Sequence, residues 1–241
     1  MREIIAVKKD FIAFNKKSFC QDRLLTSGKA YYLHYKDNNK FCGYAGKECA
    51  KQKCNNDLNA IPDFTKSLIS NFKKETKIIQ GKKHTHRANL SKSDISMAIE
   101  YVVLRQSKMK KFKKANYFIL NDYYKEYLKT NILSPNSIKH IINIEKKAPL
   151  RFKLENLLTC YAYEYKILLA LKSIPSNKRT YLSSILSNLR KYYTLTDRQI
   201  NGVERWFKKI RNKEVAEAKL KKFLYQKPHE KFHSAKLSLK T

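Results

Sequence analysis

Four of the five glycines (Gly28, Gly43, Gly46, Gly81) and four of the five cysteines (Cys20, Cys42, Cys49, Cys54) fall before residue 82 of a 241-residue chain. Glycine supplies the turn conformations that short strands need, and the region beyond residue 82 is almost without it. The chain therefore divides into two parts with different grammar. In the first, Ile4 to Val7, Phe11 to Phe14, Ala30 to Tyr35 and Lys40 to Tyr44 read as short strands. The last two flank Asp37-Asn38-Asn39, residues that tolerate hairpin backbone angles. Asp63 is expected to cap a short helix with Phe64, Leu68, Ile69 and Phe72 on one face. From Gln80 to Asn89 Ala88 is the only apolar residue, which marks a basic linker.

The second part is a helical series with readable punctuation. Ser91 or Ser93 opens a helix in which Ile95, Ala98, Ile99, Val102 and Val103 repeat at helical spacing. Tyr117, Leu120, Tyr124, Tyr127 and Leu128 mark the next. Ser134-Pro135 places a cap before a proline at the first helical position, and Pro149 closes that element. Phe152 to Ile174 is apolar on several faces, as a central bundle helix is, and Pro175 ends it. Thr180 to Tyr193 follows. Thr196 with Gln199 forms a capping box, and Leu195 with Ile200 the hydrophobic staple around it. The pattern predicts an α+β protein: a β-rich, cysteine-bearing head over 1–80, a linker over 81–90, a helical bundle over 91–225 and a basic, flexible tail over 226–241.

Fifty-two Lys and Arg against twenty Asp and Glu leave a formal charge of +32. A folded chain this unbalanced repels itself unless a polyanion neutralises it, and nucleic acid is the commonest intracellular polyanion. An AT-rich genome enriches lysine, yet does not by itself deplete acids this far. Lysines number 42 and arginines 10, a ratio that suits phosphate contact more than base reading. Sixteen Tyr and twelve Phe supply flat faces for stacking, so RNA is favoured over duplex DNA. No apolar run approaches the ~20 residues of a membrane span; Ile167 to Leu171 is among the longest. The N-terminus lacks the apolar stretch of a secretory signal. Five cysteines in a chain with enough apolar residues for a core suggest free thiols in a reducing compartment: cytoplasm, nucleoid or nucleus.

Three basic stretches are candidate nucleic-acid contacts. Lys108, Lys110, Lys111, Lys113 and Lys114 sit at the end of the first long helix, more charge than its dipole needs. Lys82, Lys83 and Arg87 occupy the linker. The helix from Asp197 sets Ile200, Val203, Trp206, Phe207 and Ile210 in an inward stripe, and Arg198, Asn201, Arg205, Lys208, Lys209 and Arg211 on its other faces. Two helices joined by a short turn over 180–211 also permit a helix-turn-helix reading.

Cys42, Cys49 and Cys54, spaced C-x6-C-x4-C, are candidate ligands for a structural zinc ion. A three-residue turn at Asp37 to Asn39 would pair His34 with Cys42 and supply the fourth ligand; Cys20, His84 and His86 are alternatives. No catalytic constellation is evident. Glu164-Tyr165-Lys166 spells the E-x-K of some metal-dependent nucleases, but within an apolar helical run. The expectation is a non-catalytic nucleic-acid-binding protein, an RNA-binding subunit of a ribonucleoprotein assembly with protein partners. A DNA-binding regulator or replication factor is the second reading, and a metal-dependent nuclease the third.

Overall fold

The computed structural model describes residues 2–13, 15–20, 23–69 and 90–225. Three antiparallel strands, β1 (Ile4–Phe11), β2 (Lys29–Tyr35) and β3 (Phe41–Ala45), form a sheet in that order. The first expected strand is longer and the second is not formed as expected. β1 continues through Lys8 to Phe11 by absorbing a register shift between Ala6 and Lys8 against β2, while Ile12 and Ala13 lie beyond it and Phe14 lies outside the described residues. The inward-facing Ala6, Tyr31, Leu33 and Ala45 make a small core closed by Ala50 of α1 (Lys47–Lys53). The alternation of Tyr31 and Leu33 with Tyr32 and His34 is what a sheet covered on one face requires.

The segment from Asp63 is not a helix. The Asp63 carboxylate accepts hydrogen bonds from the Thr65 amide at 2.9 Å and the Thr65 hydroxyl at 2.7 Å, which turns the chain locally. Leu68 and Ile69 then form β4, paired with β5 (Lys219–Leu220) from the far end of the described chain. Phe72, the linker and the tail from 226 lie outside the described residues.

The helical body follows the expected punctuation. Ser91 and Asp94 close a capping box at the start of α2 (Lys92–Val103), which runs into a π-helical turn at Leu104–Lys108. α3 (Phe118–Thr130) ends at Asn131 in the left-handed conformation. Ser134 caps α4 (Pro135–Lys147) through the Ser137 amide. Twelve of the twenty residues of α5 (Leu154–Ser173) are buried, which makes it the central helix. α6 (Thr180–Tyr192) ends at Tyr193, again left-handed. The Thr196–Gln199 capping box then starts α7 (Asp197–Phe207), and α8 (Lys213–Glu217) leads into β5. The architecture is the expected α+β one, a three-stranded sheet followed by a helical region. No described helix is long and apolar enough to cross a membrane.

The sheet is anchored to α5. Phe11 stacks on Tyr165 with ring centroids 4.1 Å apart, and the Tyr165 hydroxyl lies 3.0 and 3.1 Å from the carbonyls of Ile12 and Gly28. Gly28, at φ 69°, sits so close to Val215 that a Cβ there would collide with it. Buried Asp10 accepts from Tyr161 at 3.2 Å, from Lys8 at 3.0 Å and from Lys108.

Candidate nucleic-acid interface

The basic residues at the end of α2 separate by role. Lys108 faces inward: its ammonium pairs with buried Asp10 and lies 5.5 Å from the Phe64 ring centroid. Lys110, Lys111, Lys113 and Lys114 are exposed, in a turn whose anchors are the buried Met109, Phe112 and Ala115. The Lys113 amide donates to the Arg190 carbonyl at 2.9 Å, which fixes this turn against the last turn of α6. The result is an open cleft of about 480 Å³ lined by Lys111, Lys113, Ser183, Ser187, Arg190 and Lys191 on its polar side. Two separate basic segments thus become one surface.

A second open cleft, of about 750 Å³, lies between the start of α6 and α7 and is lined by Tyr181, Arg198, Asn201, Gly202, Arg205 and Trp206. Arg198, Asn201 and Arg205, three and seven residues apart, occupy one helical face and are exposed. Among the described residues neither arginine has a carboxylate partner. Trp206 packs on the core with one part only and shows the rest to the cleft, where the apolar stripe predicts an inward ring. Lys209 and Arg211 are exposed beyond the helix, while Lys208 borders a third cleft around Lys166. Lys82, Lys83 and Arg87 lie outside the described residues. Tyr181 carried no signal in the sequence beyond being one tyrosine of sixteen.

The sheet also presents aromatic edges that periodicity did not single out. Tyr44 packs edge-on against Tyr32 and Phe41 at 5.0 Å, and Tyr32 and Phe41 are tilted to one another at 6.2 Å, all on the face away from the core. The Lys8 ammonium lies 4.4 Å from the Tyr32 centroid.

The expected metal ligands are not assembled as predicted. The β2–β3 register shifts after Leu33, so His34 pairs with Phe41, and Cys42 falls in the irregularity. The His34 Nδ1 lies 2.7 Å from the Asn39 carbonyl. Cys49 is joined to Cys20 by a disulfide, where the sequence suggests free thiols. Cys42 and Cys54 remain free, with burial pushing both thiols up and Cys42 adding to the push on Cys54. Among the described residues no three His, Cys, Asp or Glu side chains converge as a metal site.

Glu164 and Lys166 also point to different partners. Glu164 accepts from Arg190 Nε at 2.8 Å and Nη2 at 2.6 Å. Lys166 donates to the carbonyls of Ala218 at 2.7 Å and Ala216 at 3.1 Å, and burial pushes its ammonium down to about 8. The E-x-K pair is therefore divided between two structural contacts.

No protein-family model, curated protein or solved structure matches this chain.

Proposed function

We propose that this protein binds nucleic acid through phosphate contacts and performs no chemistry of its own, as an RNA-binding subunit of a ribonucleoprotein assembly with other protein subunits. The observation that carries the reading is the pair of basic clefts bordering α6. Lys111, Lys113 and Lys191 stand at one, Arg198 and Arg205 at the other, and all five are exposed on a chain of net charge +32. Cations grouped this way without acidic partners keep their full charge for an external anion. The excess of lysine over arginine and the many aromatics favour RNA over duplex DNA. Such a partner puts the protein inside a cell, although the Cys20–Cys49 bond is not one that a reducing compartment favours.

The test is binding to single-stranded RNA, single-stranded DNA and duplex DNA across a range of salt. Affinity should fall log-linearly with salt, and each lost phosphate contact should flatten the slope by about 0.7 on single strands. Lys111→Glu with Lys113→Glu and Lys191→Glu, and separately Arg198→Gln with Arg205→Gln, should flatten it. No binding to any of the three at low salt overturns the reading.

The four-residue turn at 193–196 between α6 and α7 supports a second reading, a DNA-binding regulator or replication factor. Tight, sequence-dependent duplex binding would select it.

A further inference from the structure

The cleft between α6 and α7 contains a glycine that helix chemistry alone does not explain. Gly202 sits within α7, where glycine costs about 1 kcal/mol relative to alanine. A Cβ at that position would collide with the hydroxyl of Tyr181, so the missing side chain is what lets the Tyr181 ring lie over the helix backbone. The ring is held there without being consumed. Tyr181 is 41% exposed, and among the described residues neither it nor Trp206 has an aromatic or cationic partner. Phe11 and Tyr163, by contrast, are each stacked on another ring, that of Tyr165 and that of Phe223.

The polar lining is equally selective. In a chain with four times as many lysines as arginines, both cations in this cleft are arginines, and no carboxylate lines it. A guanidinium grips phosphate with two parallel donors and stacks on flat rings, which an ammonium does not do. Asn201 lies between the two arginines on the same helical face and offers both a donor and an acceptor. At about 750 Å³ the cleft is within the range that holds nucleotide-sized ligands.

We infer that this cleft seats one unpaired nucleobase of a single strand, stacked against Trp206 and Tyr181, with the adjoining phosphates on Arg198 and Arg205 and Asn201 at the base edge. The inference rests on the nucleic-acid reading and adds a ligand class and a site to it. A base must be unpaired to use the cleft, because the faces of a paired base are already stacked within the duplex. The Tyr181-over-Gly202 contact fixes one wall in advance, so less ordering is needed when the base enters.

Trp206 is the only tryptophan, so its fluorescence reports on this cleft alone. A labelled single-stranded RNA of about 12 nucleotides, within the usual site sizes, would be followed by anisotropy, with tryptophan emission recorded in parallel. The expected result is quenching of Trp206 by the single strand but not by a fully abasic strand of equal length or by inorganic polyphosphate. Tyr181→Ala, at an exposed position that leaves the core intact, should weaken binding roughly 5- to 150-fold. Gly202→Ala, which displaces Tyr181, should weaken it in the same direction. Binding by anisotropy with unchanged tryptophan emission and unchanged affinity in both variants would overturn the base site while leaving the phosphate reading in place. Equal quenching by the abasic strand would also overturn it. Failure to bind any strand at low salt would instead remove the nucleic-acid reading itself.

Discussion

Phe11 on β1 and Tyr165 on α5 stack with their rings 14° from parallel, and this contact with its neighbours ties the sheet to the helical body. The Tyr165 hydroxyl extends past Phe11 to the carbonyls of Ile12 and Gly28, so one residue satisfies both the apolar and the polar side of the junction. Phe11→Ala should destabilise the protein by about 3–5 kcal/mol through the cavity it leaves. Tyr165→Phe should cost about 1–2 kcal/mol, because the ring stays and only the hydroxyl contacts go. Urea denaturation followed by circular dichroism measures both. A Phe11→Ala loss no larger than that of Tyr165→Phe would mean that the stack does not hold the two parts together.

The Glu164–Arg190 pair predicts an asymmetric response. Glu164 is nearly buried on α5 and takes two hydrogen bonds from one guanidinium on α6. Arg190→Met leaves that carboxylate buried without its cation, an expected loss of about 3–5 kcal/mol. Adding Glu164→Met to Arg190→Met removes the stranded charge and should recover most of the loss. Comparing thermal unfolding of the single and double variants checks this. A double variant as unstable as the single one would show that the pair contributes through packing rather than charge.

Local chemistry was legible in the sequence, and long-range pairing was not. The box of Thr196 with Gln199 involves residues three apart, so that helix start could be read directly, whereas the box of Ser91 with Asp94 decides between the two serines the sequence left open. Leu68 and Ile69 looked helical because their strand partners, Leu220 and Lys219, come from the opposite end of the described chain. Lys108 looked like part of a surface patch because Asp10, 98 residues away, is invisible to periodicity. The same limit applies to the cysteines: spacing drew Cys42, Cys49 and Cys54 together, but only the fold brings Cys20 to Cys49. At the candidate site, Arg198, Asn201 and Arg205 were found from their helical face. The exposed face of Trp206 was missed, because an apolar residue at core spacing gives no sign that Tyr181 of another helix leaves it uncovered.

Cys20 and Cys49 close a loop of 29 residues in sequence separation, with Cα atoms 6.0 Å apart. On chain-entropy grounds, replacing both by serine should cost about 3–4 kcal/mol. Thiol titration of denatured, unreduced protein should find three thiols, those of Cys42, Cys54 and Cys160, and reductant should reveal two more. Five thiols before reduction, together with one zinc per chain, would replace the disulfide with the metal site read from the sequence.

Lys166 gives stability a pH dependence of known sign. Its folded value of about 8 lies below the ordinary lysine value of 10.5, because burial penalises the ammonium. Between those two values the unfolded chain holds the proton and the folded chain has released it, so raising pH favours folding there. Below about 8 both states are protonated, and the penalty is present in full. Other buried groups act oppositely: the Cys160 thiol and the Tyr161 and Tyr165 hydroxyls are pushed up, so alkali works against the fold through them. Their contribution cancels when wild type is compared with Lys166→Met at each pH. The difference in unfolding free energy should shift towards wild type from pH 8 to 10, at up to about 1.4 kcal/mol per pH unit, and stay flat from pH 6 to 7. A difference that is flat across the whole range would mean that Lys166 keeps its proton in the fold, held by the Ala216 and Ala218 carbonyls.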